Sequence, residues 1–530
     1  MAISADPGGL NPSITTQGGV TTLCGSIFSG LVAADFDLNP VPDLAESWDV
    51  SPDGLVYTFH LAPNAAFHDG TPVTSEDVKF TFEQLLMKYH SRTRTSIGDK
   101  LSHINTPNSR TVSFEFSRPY AAFLQLIDVT NAPIMPKHLF EGTDPLTNPY
   151  NSSPVGSGPF KFQEWEKGDH ITLVRNENYF KKGKPYLDRI VYKVMPTSTA
   201  AAIAFENGEV DYFFNPSPLD TVRLKNLPGV VVTDKGREGY ATVETLVPNI
   251  TRGPLSDLSV RQAIAHAIDK DYIVEKVFFG LNPAATGPIS ALLTWAYNPN
   301  VVKYERDFAH AERLLDEAGY WRGADGTRFS LRLLYASGWM KVAEALKEQL
   351  KEVGIALDLQ LMEFSAMVDA VYIKKDFDLS FSSFENGPDP DIGVKRTVVS
   401  TNIGPIPFSN GAGYRNPRID ELFDLASSEL NKDKRAEYYF EAQDILVKDL
   451  PYFWLYEPRG SAAYKAGLRG MYTWSAKSNT YFAQDVWWAD GGRSGRASRT
   501  RRGWIYLLAG LLIVTITAAV IALVRRRRRA

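Results

Sequence analysis

At 530 residues the chain is too long for a single hydrophobic core, and its 44 % apolar content allows two or three well-filled domains. The 57 basic and 61 acidic residues nearly cancel to a formal charge of -4, which excludes the electrostatic footprint of a nucleic-acid binder. One cysteine, Cys24, excludes an internal disulfide and a thiolate metal cluster; between Leu23 and Gly25 it reads as a small buried thiol.

The first 45 residues carry turn signals (Pro7-Gly8-Gly9, Gly18-Gly19) around short apolar pieces. No basic start and no apolar run precede Asp6, so either an export signal lies upstream or the bulk of the chain stays in the cytosol behind a tail anchor. From Trp48 the pattern is hairpin: Ser51-Pro52-Asp53-Gly54 is a turn, and Val56, Thr58 and His60 alternate with Tyr57, Phe59 and Leu61 in a strand. Thr74 and Asp77 form a capping box for a helix bearing Val78, Phe82 and Leu85 on one face. Another alternating strand covers 111–116. The run Ser153-Pro154-Val155-Gly156-Ser157-Gly158-Pro159-Phe160 is dense in backbone punctuators and reads as a junction. Strands follow at 161–165, 171–175, 190–194 and 210–214, with a helix at 198–207, giving a β-α-β unit whose edge falls near Asn215. The stretch 248–254 reads as a second linker.

Asp257 caps an amphipathic helix carrying Val260, Ala263, Ile264, Ala267 and Ile268, and 307–318 is another, ended by Gly319. Next comes a β-α-β-α-β unit. Phe329, Leu331, Leu333 and Tyr335 mark a strand, Val342, Ala345, Leu346, Leu350 and Val353 a helix, and Ile355, Leu357, Leu359 and Leu361 a second strand. Gly354 stands where a left-handed helix cap belongs. A short helix at 365–375 leads to a third strand at 378–384. Right-handed crossovers make such strands parallel and gather their carboxyl ends on one edge, where ligands of open α/β sheets bind. Three segments should therefore meet at one mouth: 336–339, 363–364 and 385–391. Two helices, 417–430 and 433–448, and an apolar strand, 452–456, close this half. No Gly-x-Ser-x-Gly elbow, His-Glu-x-x-His or phosphate-binding Gly-rich loop occurs, and His68-Asp69-Gly70 reads as a hairpin turn before it reads as acid–base machinery.

From Trp504 to Val524 there is no charge, enough helix to cross the roughly 30 Å of a bilayer's hydrocarbon core. A transmembrane helix is expected there, preceded by a basic linker over 491–503 and stopped by the polyarginine tail 525–530. Arginines flank it on both sides, so charge alone leaves its orientation open.

Asp43-Leu44-Ala45-Glu46-Ser47-Trp48, Tyr57-Thr58-Phe59-His60-Leu61, Phe67-His68-Asp69-Gly70, Gly156-Ser157-Gly158-Pro159-Phe160 and Val260-Arg261-Gln262-Ala263-Ile264 occur in an order that resembles family 5 extracellular solute-binding proteins, the peptide, nickel and related receptors of ABC importers. The resemblance implies an α/β, two-lobed periplasmic-binding-protein-like fold of type II. Lobe 1 would be 1–250 with 459–490, including an additional subdomain at 45–150; lobe 2 would be 251–458. It implies a monomeric receptor, not an enzyme, without cofactor or metal, that closes over a peptide or other small solute and passes it to a membrane permease. The alternative is an anchored sensor or assembly protein on the same fold. Localisation would be periplasmic or extracellular, tethered to the cytoplasmic membrane. In peptide receptors of this family an acid after the third strand meets the ligand's amino group: by position Glu385, with Asp389 and Asp391 as neighbours, although all three also suit turn chemistry. Lys341 is nearest to where a basic residue can meet the carboxylate. Ser29, in Phe28-Ser29-Gly30-Leu31, stands where many relatives carry an acid. Trp339 and Phe384 offer faces for stacking on a ligand, or core packing.

Overall fold

A computed structural model of the chain describes residues 1–489 apart from 16, 36, 236–240 and 472–480. The linker 491–503, the membrane helix expected over 504–524 and the tail 525–530 lie outside the described residues. Within them no helix is long and apolar enough to cross a membrane.

The alternation read in the second half becomes a five-stranded sheet, in the order Ile355–Leu361, Phe329–Tyr335, Leu379–Glu385, Thr242–Pro248, Phe453–Tyr456. The first three run parallel, because the helix Met340–Glu352 and the helical segment Phe364–Lys374 carry the chain back between them. Leu333, Leu346, Leu350, Ile264 and Leu446 bury together as the core of this lobe. Gly354 takes φ +81°, the left-handed conformation that ends its helix without a Cβ penalty.

One boundary moves. Thr242–Pro248 pairs with Leu379–Glu385 on one side and Phe453–Tyr456 on the other, and all seven of its residues are buried. The turn-rich 248–254 stretch is thus a loop inside lobe 2. The chain has left the lobe 1 sheet after Thr233 and entered the lobe 2 sheet at Thr242, and it returns between Tyr456 and Ala462, so the change of lobe does not fall near 250. A strand paired on both edges cannot be a hinge.

Lobe 1 holds a seven-stranded sheet in the order Val230–Thr233, Ala462–Lys465, Tyr212–Phe214, Ala2–Ile3, Arg189–Val194, His170–Arg175, Phe160–Glu166. The short strand Ala2–Ile3 inserts between the two strands of the expected β-α-β unit and runs parallel to both. The additional subdomain is a four-stranded antiparallel sheet, Ala45–Val50, Val56–Leu61, Thr111–Phe116 and Leu101–Asn108, packed around Phe59, Phe82, Phe114 and Phe123. Asp77 accepts from the Thr74 amide at 2.8 Å, as the capping box requires. The Gly156-Ser157-Gly158 junction lies against the backbone of Ile27: a Cβ on Gly156 would sit 2.0 Å from the Ile27 carbonyl oxygen, and Gly158 donates to that oxygen at 2.8 Å. Only glycine permits that approach.

The lobes meet through apolar packing as well as through the crossings. Ile392 of lobe 2 is buried in the subdomain's core, and Leu38 of lobe 1 in the core of lobe 2. The amide of Ala121 donates to the Ser427 carbonyl at 2.9 Å.

Candidate functional site

Both crossings join the sheets at their carboxyl edges. In lobe 2, Thr242 opens its strand opposite Glu385, and Tyr456 ends its strand opposite Glu244. In lobe 1, Phe214 ends and Ala462 begins at one level, where Thr233 also ends. The strands that hand the chain from one lobe to the other thus leave and enter at the two ligand-accepting edges, Thr233 and Ala462 in lobe 1, Thr242 and Tyr456 in lobe 2. On the lobe 1 edge a cavity of about 440 Å³ is lined by Ser4, Asp6, Thr197, Ser198 and Asn215, among others.

The lobe 2 edge carries an aromatic wall. Trp339 stacks on Phe381 with ring centroids 5.7 Å apart and on Phe364 at 6.4 Å, and Phe364 stacks on Phe408 at 6.2 Å. These rings, with Tyr372, Ser382 and Ser383, line a cavity of about 90 Å³. The Trp339 indole is held from behind: its Nε1 donates to Glu244 Oε2 at 2.9 Å. Glu244 is only 8 % exposed. Burial raises its pKa above the ordinary 4.5, opposed by hydrogen bonds from Ser383 and Trp339. A glutamate in the run Val243-Glu244-Thr245-Leu246-Val247 is the sequence signal that could have marked it, since charge is rare in a strand covered on both faces.

Glu385 is already engaged across the cleft. Arg92, from the helix Ser91–Ile97 of the subdomain, donates Nη2 to Oε2 at 2.8 Å and Nη1 to Oε1 at 3.3 Å. Both side chains are under 20 % exposed, at 16 and 19 %. The expected receptor for a ligand's amine is thus one half of an interlobe bridge. No local pattern in the sequence pointed to Arg92; it is brought there by the docking of the subdomain on lobe 2.

The two acids beside it are structural. Asp389 takes Arg435 through contacts of 2.8 and 2.9 Å, and caps its own short helix by accepting from the Asp391 amide at 3.0 Å. Asp391 is buried 3.3 Å from Lys395 Nζ and faces Lys100 of the subdomain, whose pKa is lowered by burial and lifted back in part by Asp391. Phe384 lies edge-on to Tyr452 at 5.5 Å in the core, which removes it from the ligand face. Residues on one strand alternate faces, so Ser383 and Glu385 reach the cleft and Phe384 does not. Lys341 is exposed at the head of its helix, and Ser29 is buried, its carbonyl accepting from Ile134 at 3.0 Å.

Arg396 was missed. Its Nε donates to the Gly393 carbonyl at 3.3 Å, and burial first, then Arg92, depress its pKa to about 10 while Glu385 raises it. His68 is spent on structure, its ring bridging Gly156 and Gly158, and burial lowers its pKa to about 4. A further cavity of about 530 Å³, lined by Lys270, Lys303, Arg306 and Trp454 among others, includes none of the loops that follow the three parallel strands of lobe 2. Volume alone does not make it the site.

Residues 39–405 match the pattern of the family described as bacterial extracellular solute-binding proteins, family 5 Middle. The oligopeptide-binding protein AppA of Bacillus subtilis is 30% identical over 511 residues, 91% of this chain and 90% of that protein. Heme-binding protein A of Haemophilus influenzae is 30% identical over 458 residues, 81% of each chain. The solved structure of the ABC transporter-associated periplasmic binding protein DppA from Helicobacter pylori, in complex with peptide STSA, superimposes with a TM-score of 0.79 at 27% identity, covering 92% of this chain and 97% of that one.

Proposed function

The chain belongs to the bacterial extracellular solute-binding proteins of family 5, and from that premise we propose that it is the receptor of an ABC importer, closing over a short peptide or another small solute and delivering it to a membrane permease. The observation that carries this reading is that the strands joining the two lobes leave and enter at both carboxyl edges, Thr233 and Ala462 in one lobe, Thr242 and Tyr456 in the other. Bonds such as Arg92 to Glu385 and Ala121 to Ser427 exist only when the lobes are together, so closure has its own stabilising contacts. A ligand that touches both walls adds to them and shifts the population toward the closed form. Nothing in that cycle makes or breaks a covalent bond. The names of the relatives, one oligopeptide-binding and one heme-binding, support a solute receptor without choosing the solute.

With an export signal upstream of Met1, the uncharged stretch 504–524 would anchor the lobes outside the cytoplasmic membrane with 525–530 on the cytoplasmic side, and would raise the receptor's effective concentration at its permease. X-ray scattering of the purified chain should show a smaller radius of gyration with a nutrient pool containing the solute, and mass spectrometry of the released ligand should identify it. Identical profiles with every pool, together with no co-purifying solute, would end this reading. A reporter fused after Ala530 should be protected from external protease; an accessible tail refutes the orientation.

A further inference from the structure

The cavity of about 530 Å³ is walled by lobe 2 alone. One wall is the end strand of the five-stranded sheet, through Phe453, Trp454 and Leu455. Beside it runs the segment 284–286, whose Ala285 amide donates to the Leu455 carbonyl at 3.1 Å. Ile268, Val447 and Leu450 add buried apolar side chains. Residues 302–306 form a solvent-facing rim, tied down on both sides: the Tyr304 hydroxyl donates to the Val447 carbonyl at 3.2 Å, and Arg306 lies 3.2 Å from Asp269.

The Lys270 ammonium sits in this wall. Its Nζ donates to the Ala285 carbonyl at 2.7 Å and to that of Trp454 at 3.3 Å, and both of these residues line the cavity. Two of its three N–H groups are thereby used. Among the described residues it forms no ion pair: Asp269 is taken by Arg306, and Asp271 is exposed. Burial lowers its pKa to about 8, and Asp271 offsets this only in part. A lysine on an edge strand blunts further strand pairing. That role accounts for the two bonds, but it supplies no counter-charge and does not explain the space alongside. A desolvated ammonium without a partner is unfavourable, and a ligand's anion relieves it.

Size and charge narrow the ligand. A dry cavity of roughly 150 Å³ holds the six carbons of benzene, so one of about 530 Å³ suits a body of roughly ten to twenty non-hydrogen atoms. Around it Lys270, Lys303 and Arg306 are matched by Asp269, Asp271 and Glu305. A lining that is neutral overall favours one negative charge over the nearly two of a phosphate.

We infer that this cavity is a second binding site, separate from the interlobe cleft, for a monocarboxylate with a medium-sized apolar body, its carboxylate on Lys270 Nζ and its body against Ile268, Val447, Leu450, Phe453 and Leu455. Because one lobe supplies every wall, the site exists whether the lobes are open or closed, and it does not depend on which solute the cleft takes.

The test uses the full chain in lipid nanodiscs, with empty nanodiscs as the blank. Calorimetry compares 4-phenylbutanoate with its neutral isostere 4-phenylbutanamide, and decanoate is added as competitor. The expected result is saturable binding of the acid, with the amide weaker by about tenfold or more, the worth of one charge-assisted hydrogen bond. Displacement by decanoate assigns alkyl acids as occupants, and no displacement assigns aryl acids. A diazirine-bearing analogue of 4-phenylbutanoate should label peptides from 265–271, 284–286, 302–306 or 447–455, read by mass spectrometry. Lys270→Gln, which keeps a donor for the two carbonyls, should weaken the acid by a similar factor and leave the amide unchanged. Ala265→Leu, which fills the cavity from its buried wall, should weaken both, with a melting temperature close to the parent's. Should Lys270→Gln fail to fold, Ala265→Leu and the position of the label decide the matter. Equal affinity for acid and amide, no binding of any probe, or labels confined to 336–339, 363–364 and 381–385 overturns the inference. None of these outcomes bears on closure, which scattering with the solute pools tests by itself.

Discussion

Breaking the bridge between Arg92 and Glu385 should loosen closure by an amount that the geometry bounds. The pair is bidentate, at 2.8 and 3.3 Å, with side chains 16 and 19 % exposed, so solvent screens it only in part. Two unit charges 4 Å apart attract by about 4 kcal/mol near a protein surface. Desolvation returns part of that, leaving the roughly 1.5 to 3 kcal/mol typical of a hydrogen bond to a charged group. A net 2 kcal/mol, taken as about the centre of that range, shifts the balance between open and closed forms roughly 30-fold toward open. The assay is energy transfer between dyes on cysteines introduced at Leu146 and Trp321, exposed positions in the two lobes, with buried Cys24 left unlabelled. Arg92→Gln, Glu385→Gln and the double variant complete a cycle in the ligand-free protein. Each single variant should widen the mean separation, and the double should add little, because the interaction is lost once. A coupling below about 0.5 kcal/mol, within the error of independent sites, would mean that the bridge does not hold the lobes and that the account of closure is wrong.

Asp389→Asn leaves Arg435 buried without its counter-charge, a loss of about 4 kcal/mol; calorimetry should show the melting of lobe 2 lowered by roughly 10 °C, and an unchanged transition would return Asp389 to the list of ligand contacts. Glu244 has a folded pKa raised above 4.5, so the native state holds its proton longer than the unfolded chain, and stability from this group is present at low pH and lost as pH rises through that window. The stability of Glu244→Gln relative to the parent should therefore increase from pH 4.5 upward in denaturant titrations; a constant difference means that the carboxyl does not titrate abnormally. Gly156→Ala drives a Cβ to 2.0 Å from the Ile27 carbonyl, so the backbone must shift at a cost of about 1 to 3 kcal/mol or more, visible as a lower urea midpoint; an unaltered midpoint would show that the junction is slack.

Strand and helix periodicity made most elements of lobe 2 legible, down to the parallel unit over 329–385 and the edge at which its loops gather. The same logic placed Trp339 and Glu385 at that edge. It could not say that Glu385 would arrive already paired, because Arg92 is 293 residues away and meets it only when the subdomain docks on lobe 2. Nor could it separate Glu385 from Asp389 and Asp391, since acids in a turn-rich loop look alike until packing buries two of them against Arg435 and Lys395. The boundary at 250 failed for a related reason. Prolines mark where a chain turns, but strand pairing decides which sheet owns the residues before the turn.

Local chemistry is thus written in the order of the residues: where backbones repeat every two or three to four positions, where glycine alone fits, and where an uncharged run is long enough to span lipid. Whose charge answers whose belongs to the tertiary structure. Electrostatic partners are chosen by distance in space, and distance between remote segments is set only once two lobes have closed on each other.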